Sequence, residues 1–143
     1  MTTQFTRTNV AGIIFNSHDE ILVSQRAYTK KLAPGVWHLP GGKVEISEDL
    51  PTALARELDE EFGMKSRNIL IVTPTNHRFE YKVGAEWHQT CLCVVRLSGH
   101  FVPILDFESE QAVFVKPDIL LALITENDPL YQQHVTVFRE LGI

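Results

Sequence analysis

Apolar residues along this chain fall into short runs separated by turn-forming clusters. Val10-Ala11-Gly12-Ile13-Ile14-Phe15 is unbroken, stops at Asn16-Ser17-His18-Asp19, and is followed by Glu20-Ile21-Leu22-Val23-Ser24-Gln25-Arg26. That pattern predicts two strands joined as a hairpin. Residues 27–36, with Lys30, Lys31 and Pro34-Gly35, are too irregular for a regular element and predict a mobile, locally basic loop. Helical periodicity is clearest over Leu50–Phe62. Asp49 is placed to cap its start, Pro51 suits the first turn, and Gly63 suits the left-handed position that ends a helix. At about 100° per residue, Leu54, Ala55, Leu58 and Phe62 fall on one side and Glu57, Glu60 and Glu61 on the other.

Further on, residues 68–75, 78–83, 86–97 and 101–105 read as strands, with turn signals at Pro74, Gly84-Ala85 and Ser98-Gly99. An antiparallel meander is the simplest arrangement of these runs. Residues 111–115 add a strand and 118–125 a packed helix, and Asp128-Pro129 opens a final helix reaching about Leu141. Strands, helix, strands, helices is the order expected of an α+β sandwich with helices covering a mixed central sheet.

The 143 residues predict one domain over 1–143, long enough to bury roughly 68–70% of its unfolded surface. Hydrophobic residues make up 44% and charged residues 22%, which excludes disordered and fibrous classes. No apolar run reaches the length of a membrane span, and no secretory leader pattern is present, so a cytoplasmic location is expected. The net charge of −5 gives no electrostatic reason to hold a nucleic-acid polymer. Cys91 and Cys93 would share one strand face about 7 Å apart, too far for a usual disulfide, and are expected to be reduced.

Candidate chemistry concentrates around the first helix. Glu57 forms like-charge pairs with Glu60 and Glu61 at i,i+3 and i,i+4, each costing an isolated helix roughly 0.2–0.5 kcal/mol. A hard divalent cation would offset that repulsion, since Mg²⁺ takes carboxylate and carbonyl oxygens and shares its coordination with phosphates and water. Glu108 or Glu110 could add a carboxylate, and carbonyls at a Gly41-Gly42 turn could approach closely. On charge pattern alone, a solvated acidic helix face fits equally well.

Spacing adds to this. Gly42, five residues, Glu48, seven residues, Arg56-Glu57-Leu58, one residue, Glu60-Glu61, one residue and Gly63-Met64 resemble the Nudix box at every fixed position. At average residue usage such a match arises by chance on the order of once in 10⁹ starts. The order of elements around the box also resembles the family's αβα sandwich, with helices on both faces of a mixed sheet.

The resemblance implies a hydrolase that cleaves a pyrophosphate bond in a nucleotide with Mg²⁺ or Mn²⁺. It implies Glu57, Glu60 and Glu61 as metal ligands with the Gly41 carbonyl; Glu108 is added to that set as the candidate further carboxylate, with Glu110 still open. Arg56 would orient carboxylates, and Glu48 would lie at or beside the metal. Family members draw the general base from different places, and Glu57 and Glu60 are the leading candidates. Arg26 stands where MutT-like members carry a phosphate-binding arginine, and phosphate binding is the expectation, with a solvated strand-end charge as the alternative. Glu126-Asn127-Asp128-Pro129 resembles a purine-reading segment, while Asn127 could simply cap the last helix. Lys30 and Lys31 could steer an anionic substrate or serve solubility, and Phe79, Tyr81 and Trp87 could stack on a base or pack in the protein. Ser47 and Phe114 depart from the family, which commonly has glycine and tryptophan there.

The resulting expectation is hydrolysis of a nucleoside triphosphate, an oxidised or otherwise non-standard purine nucleotide among the candidates, to monophosphate and pyrophosphate. ADP-ribose or nucleotide-sugar hydrolysis and a non-catalytic nucleotide sensor are the alternatives. The family also leads one to expect a homodimer. No HExxH, GxxxxGK[ST] or GxGxxG motif occurs, so zinc, P-loop and Rossmann routes have no support.

Overall fold

A computed structural model describes residues 4–125 and 128–143. In chain order the elements are β1 (Arg7–Phe15), β2 (Ile21–Arg26), β3 (Trp37–His38), β4 (Gly41–Lys43), α1 (Leu50–Phe62), β5 (Ile69–Val83), β6 (Glu86–Leu97), β7 (Ser109–Val115), α2 (Pro117–Ile124) and α3 (Tyr131–Glu140). One 3-10 turn, Ser66–Asn68, leads into β5.

The sheet is mixed: β1 pairs parallel to β6 from Arg7–His88 to Phe15–Arg96, and β5 pairs antiparallel to β6. The antiparallel arrangement expected after α1 holds for β5 and β6, and the parallel pair makes the sheet mixed as expected. A parallel pair needs a crossover, and the chain between β1 and β6 supplies it. The two runs expected over 68–75 and 78–83 form one long strand, β5, whose register shifts between Pro74 and Arg78. Residues 101–105 form no strand. Pro103 has no N–H to donate, and the Ile104 N–H instead meets the otherwise unpaired Phe62 carbonyl at the end of α1, at 2.9 Å. The last helix starts at Tyr131, three residues beyond the expected Asp128.

Strand alternation sends neighbouring residues to opposite faces. Val10, Ile14, Leu22, Cys93 and Val95 pack with Leu54, Leu58 and Phe62 of α1 on one face. Ala11, Ile13, Val23, Leu92 and Phe79 pack with Leu120, Ile124, Val137 and Phe138 of α2 and α3 on the other. The αβα sandwich follows directly. Within α1 the Asp49 carboxylate accepts from the Thr52 N–H at 2.8 Å, and Gly63 closes the helix in the left-handed conformation. Ala53 takes a core position, whereas the expected Ala55 is only half-buried. Both cysteines are free thiols. Among the described residues, no helix is long and apolar enough to cross a membrane.

One irregularity positions the site. β1 and β2 are paired only at Phe15–Ile21 and then part. β3 adds to β2 through Ser24–His38 and Gln25–Trp37, while β4 adds to β1 through Asn9–Lys43, Val10–Gly42 and Ala11–Gly41. Residues 37–43 thus cross a split in the sheet, held midway by the Gly12 N–H on the Pro40 carbonyl at 2.9 Å.

Candidate active site

Gly41-Gly42 is a strand, not the turn expected from the sequence. A side chain at Gly41 would run into the Val10 carbonyl at 1.9 Å, so only glycine lets β4 approach β1. At Gly42 the space a Cβ would fill is bounded by the Glu57 carboxylate, 2.3 Å away at its carbon. The two glycines therefore seat one lip of the split against α1.

Arg56 organises that lip. Its Nε and Nη2 donate to the two oxygens of Glu48, each at 2.8 Å, and Nη1 donates to Glu57 Oε1 at 2.9 Å. Nη2 also meets the Lys43 carbonyl at 2.9 Å, and Glu60 Oε2 stands 3.5 Å from Nη1. The paired charge holds the Glu48 carboxyl at about 2. In return, the carboxylates raise the affinity of Arg56 for its proton.

The acidic side of α1 is not uniformly solvated. Glu60 is exposed, Glu57 is half-buried, and Glu61 is only 9% exposed. Desolvation pushes the Glu61 carboxyl up to about 9, with the charges of Glu57, Glu108 and Asp106 adding to the rise and a hydrogen bond with Glu57 favouring the proton further. Desolvation also raises Glu57; Arg56 opposes it, and Glu60 and Glu108 reinforce it. A proton thus stands in for missing positive charge among oxygen donors, the setting that suits a hard divalent cation. Among the described residues, no three Asp, Glu, His or Cys side chains are already drawn together as a ligand set. Arg56 holds one oxygen of Glu57.

The opposite lip is built by the end of β2 and the start of β7. Arg26 donates through Nε to the Leu32 carbonyl at 2.9 Å, fastening the 27–36 loop to its own base. Glu108 pairs with Lys30 at 2.9 Å, while Glu110 accepts from the Tyr28 N–H at 2.9 Å. Of these two glutamates, Glu108 is the one whose charge acts on Glu57 and Glu61. His38 lies in the same corner, near both Arg26 and Glu108, and desolvation holds its imidazole at about 4, so it is neutral at pH 7.

The structure draws Glu48, Glu57 and Glu60 around the Arg56 guanidinium, with Glu61 one turn from Glu57 on α1; Gly41 lies in β4 beside Gly42, and Glu108 is paired with Lys30. Asn127 lies outside the described residues. Phe79 is buried, stacked on His134 at 4.1 Å between ring centres, so it packs in the core. Asp106, His38 and the Lys30–Glu108 pair were missed, because no spacing rule connects residues that only the fold brings together.

A family model described as the NUDIX domain matches residues 5–140. The chain belongs to the Nudix family. An isopentenyl-diphosphate Delta-isomerase from Saccharopolyspora erythraea is 37% identical over 70 residues, which are 48% of this chain and 34% of that protein. An 8-oxo-dGTP diphosphatase from Proteus vulgaris is 35% identical over 69 residues, 48% of this chain and 61% of the relative. This Nudix chain thus matches less than two thirds of the length of either relative. The solved structure of the MutT protein from Methanosarcina mazei Go1 superposes with a TM-score of 0.74 at 21% identity, covering 100% of this chain and 99% of that one. At that identity the likeness is one of fold.

Proposed function

We propose that this chain is a divalent-cation-dependent hydrolase of nucleoside triphosphates, an oxidised or non-standard purine nucleotide among them, releasing the monophosphate and pyrophosphate. One observation carries the reading: α1 sinks Glu61 to 9% exposure one turn from the half-buried Glu57, whose carboxylate lies against Gly42 of β4 at the split in the sheet. Carboxylates in that state fit a cation better than they fit water or a basic side chain. Glu57, Glu60 and Glu61, with Glu108 and the Gly41 carbonyl, are the groups that would hold Mg²⁺ or Mn²⁺. When bound, such a cation neutralises phosphate charge and acidifies a coordinated water.

The protein's own residues do the remaining work. Arg56 clamps Glu48 with two bonds and Glu57 with one, so the carboxylates meet the substrate in a fixed geometry rather than a mobile one. Glu57 and Glu60 are the candidates for taking the proton of the attacking water; Glu57 is held by Arg56, and Glu60 is open to solvent. Arg26 on the facing lip supplies a permanent positive fork for phosphate oxygens. The relative from Proteus vulgaris is named for 8-oxo-dGTP, which supports a nucleotide with a phosphate chain as substrate.

The test is a panel of nucleoside triphosphates, oxidised purine nucleotides, ADP-ribose and nucleotide sugars with Mg²⁺ or Mn²⁺, assayed separately for pyrophosphate and monophosphate. Pyrophosphate release from triphosphates is the expected result. Rapid cleavage of ADP-ribose or sugar nucleotides with triphosphates untouched would reject the substrate.

A further inference from the structure

An ion pair on the lip built by β2 and β7 bears on how the site fills. Lys30 Nζ stands 2.9 Å from Glu108 Oε1, with 28% and 37% of the two side chains exposed. The pair is local to a loop that is fixed to the same stretch of chain: the Ala27 N–H donates to the Glu108 carbonyl and the Tyr28 N–H to the Glu110 carboxylate, each at 2.9 Å. The ammonium holds the Glu108 carboxylate, whose negative charge also reaches Glu57 and Glu61 and disfavours theirs. A cation held by those glutamates would therefore compete with Lys30 for Glu108.

We infer that Lys30 is an internal counter-ion that ties up Glu108 in the nucleotide-free protein and is handed to a substrate phosphate when a cation takes over that carboxylate. This rests on the reading of the carboxylate cluster as a cation site. Lys30 is then a positioning residue acting through Glu108. Lysine suits an exchange of this kind, because a flexible stem and three rotatable donors let the head group move without remodelling the loop, unlike the planar fork of arginine. Partial exposure keeps the pair weak enough to be exchanged. Cation and phosphate would each make binding of the other easier, as linkage requires.

The test is calorimetric titration of Mn²⁺ alone into the full chain at low salt, comparing the native protein with Lys30→Met and, as a charge-matched control, Lys31→Met at the neighbouring exposed lysine. Lys30→Met should bind Mn²⁺ about two- to fivefold more tightly than the native protein, the range that separates a weak from a good exposed ion pair, with Lys31→Met unchanged. Damage to the loop would instead weaken binding. Equal or weaker binding by Lys30→Met, or the same gain from Lys31→Met, would overturn the inference while leaving the cation site standing. No Mn²⁺ binding by either the native protein or Lys30→Met would overturn both.

Discussion

Arg56 grips both oxygens of Glu48 at 2.8 Å, a two-point bond between a helix residue and the turn that precedes the helix. A third nitrogen holds Glu57, so one guanidinium fixes the turn, strand β4 and a carboxylate of the cluster. Lysine cannot form that fork. Arg56→Lys should lower kcat/KM by about 10–100-fold, as loss of a group orienting site carboxylates does. Glu48 contributes stability above its ordinary value of 4.5, lost as pH falls toward about 2. Without the fork that contribution is smaller from the outset, so the midpoint of acid unfolding followed by circular dichroism should shift to higher pH in Arg56→Lys.

Glu61 carries the opposite sign. Its carboxyl is raised from 4.5 to about 9, so the folded protein holds a proton that the unfolded chain has released. Its contribution to the stability of the cation-free protein is largest below 4.5 and is lost as pH rises toward 9, by up to about 1.4 kcal/mol per pH unit. Glu61→Gln should flatten that slope and unfold at higher temperature than the native protein at pH 8 in a chelator. The same variant should lose most of its thermal stabilisation by Mg²⁺ or Mn²⁺. A native melting curve in chelator that does not move between pH 5 and 8 would contradict the assignment.

The paired glycines of β4 should fail in different ways. Gly41→Ala drives a methyl group into backbone at 1.9 Å from the Val10 carbonyl, which cannot yield cheaply. A loss of about 1–3 kcal/mol in denaturant unfolding is expected. Gly42→Ala meets the end of the Glu57 side chain, which can swing away. Stability should largely survive, while turnover falls by about 100-fold through displacement of that carboxylate.

Ser47 sits at φ +69°, left-handed backbone that a side chain disfavours, in an exposed turn closed by the Glu48 N–H on the Glu45 carbonyl at 3.1 Å. Its side chain has little packing to lose. Ser47→Gly should raise stability by about 0.5–1 kcal/mol, the relief of left-handed strain less the entropy glycine adds to the unfolded chain. The midpoint of urea unfolding measures it. The sequence already flagged this position as one where the family commonly has glycine, and the backbone angle supplies the reason.

By itself, the amino-acid sequence determined what depends on near neighbours along the chain. Helix α1 was legible from end to end because Asp49, Gly63 and the spacing of Leu54, Leu58 and Phe62 act within a few residues of one another. The fixed spacing from Gly42 to Met64 likewise marked the acidic cluster and the family. At 100° per residue Glu61 falls about 20° from Leu54, so helical phase itself carries it to the edge of the apolar stripe, and its expected place on the polar side with Glu57 and Glu60 is corrected. Tertiary structure alone decided that Gly41-Gly42 becomes a strand on the edge β1 frees by parting from β2, and that Lys30 meets Glu108 seventy-eight positions away. Caps and periodicity are local, whereas burial and charge pairing depend on which distant segments the two-faced core brings alongside.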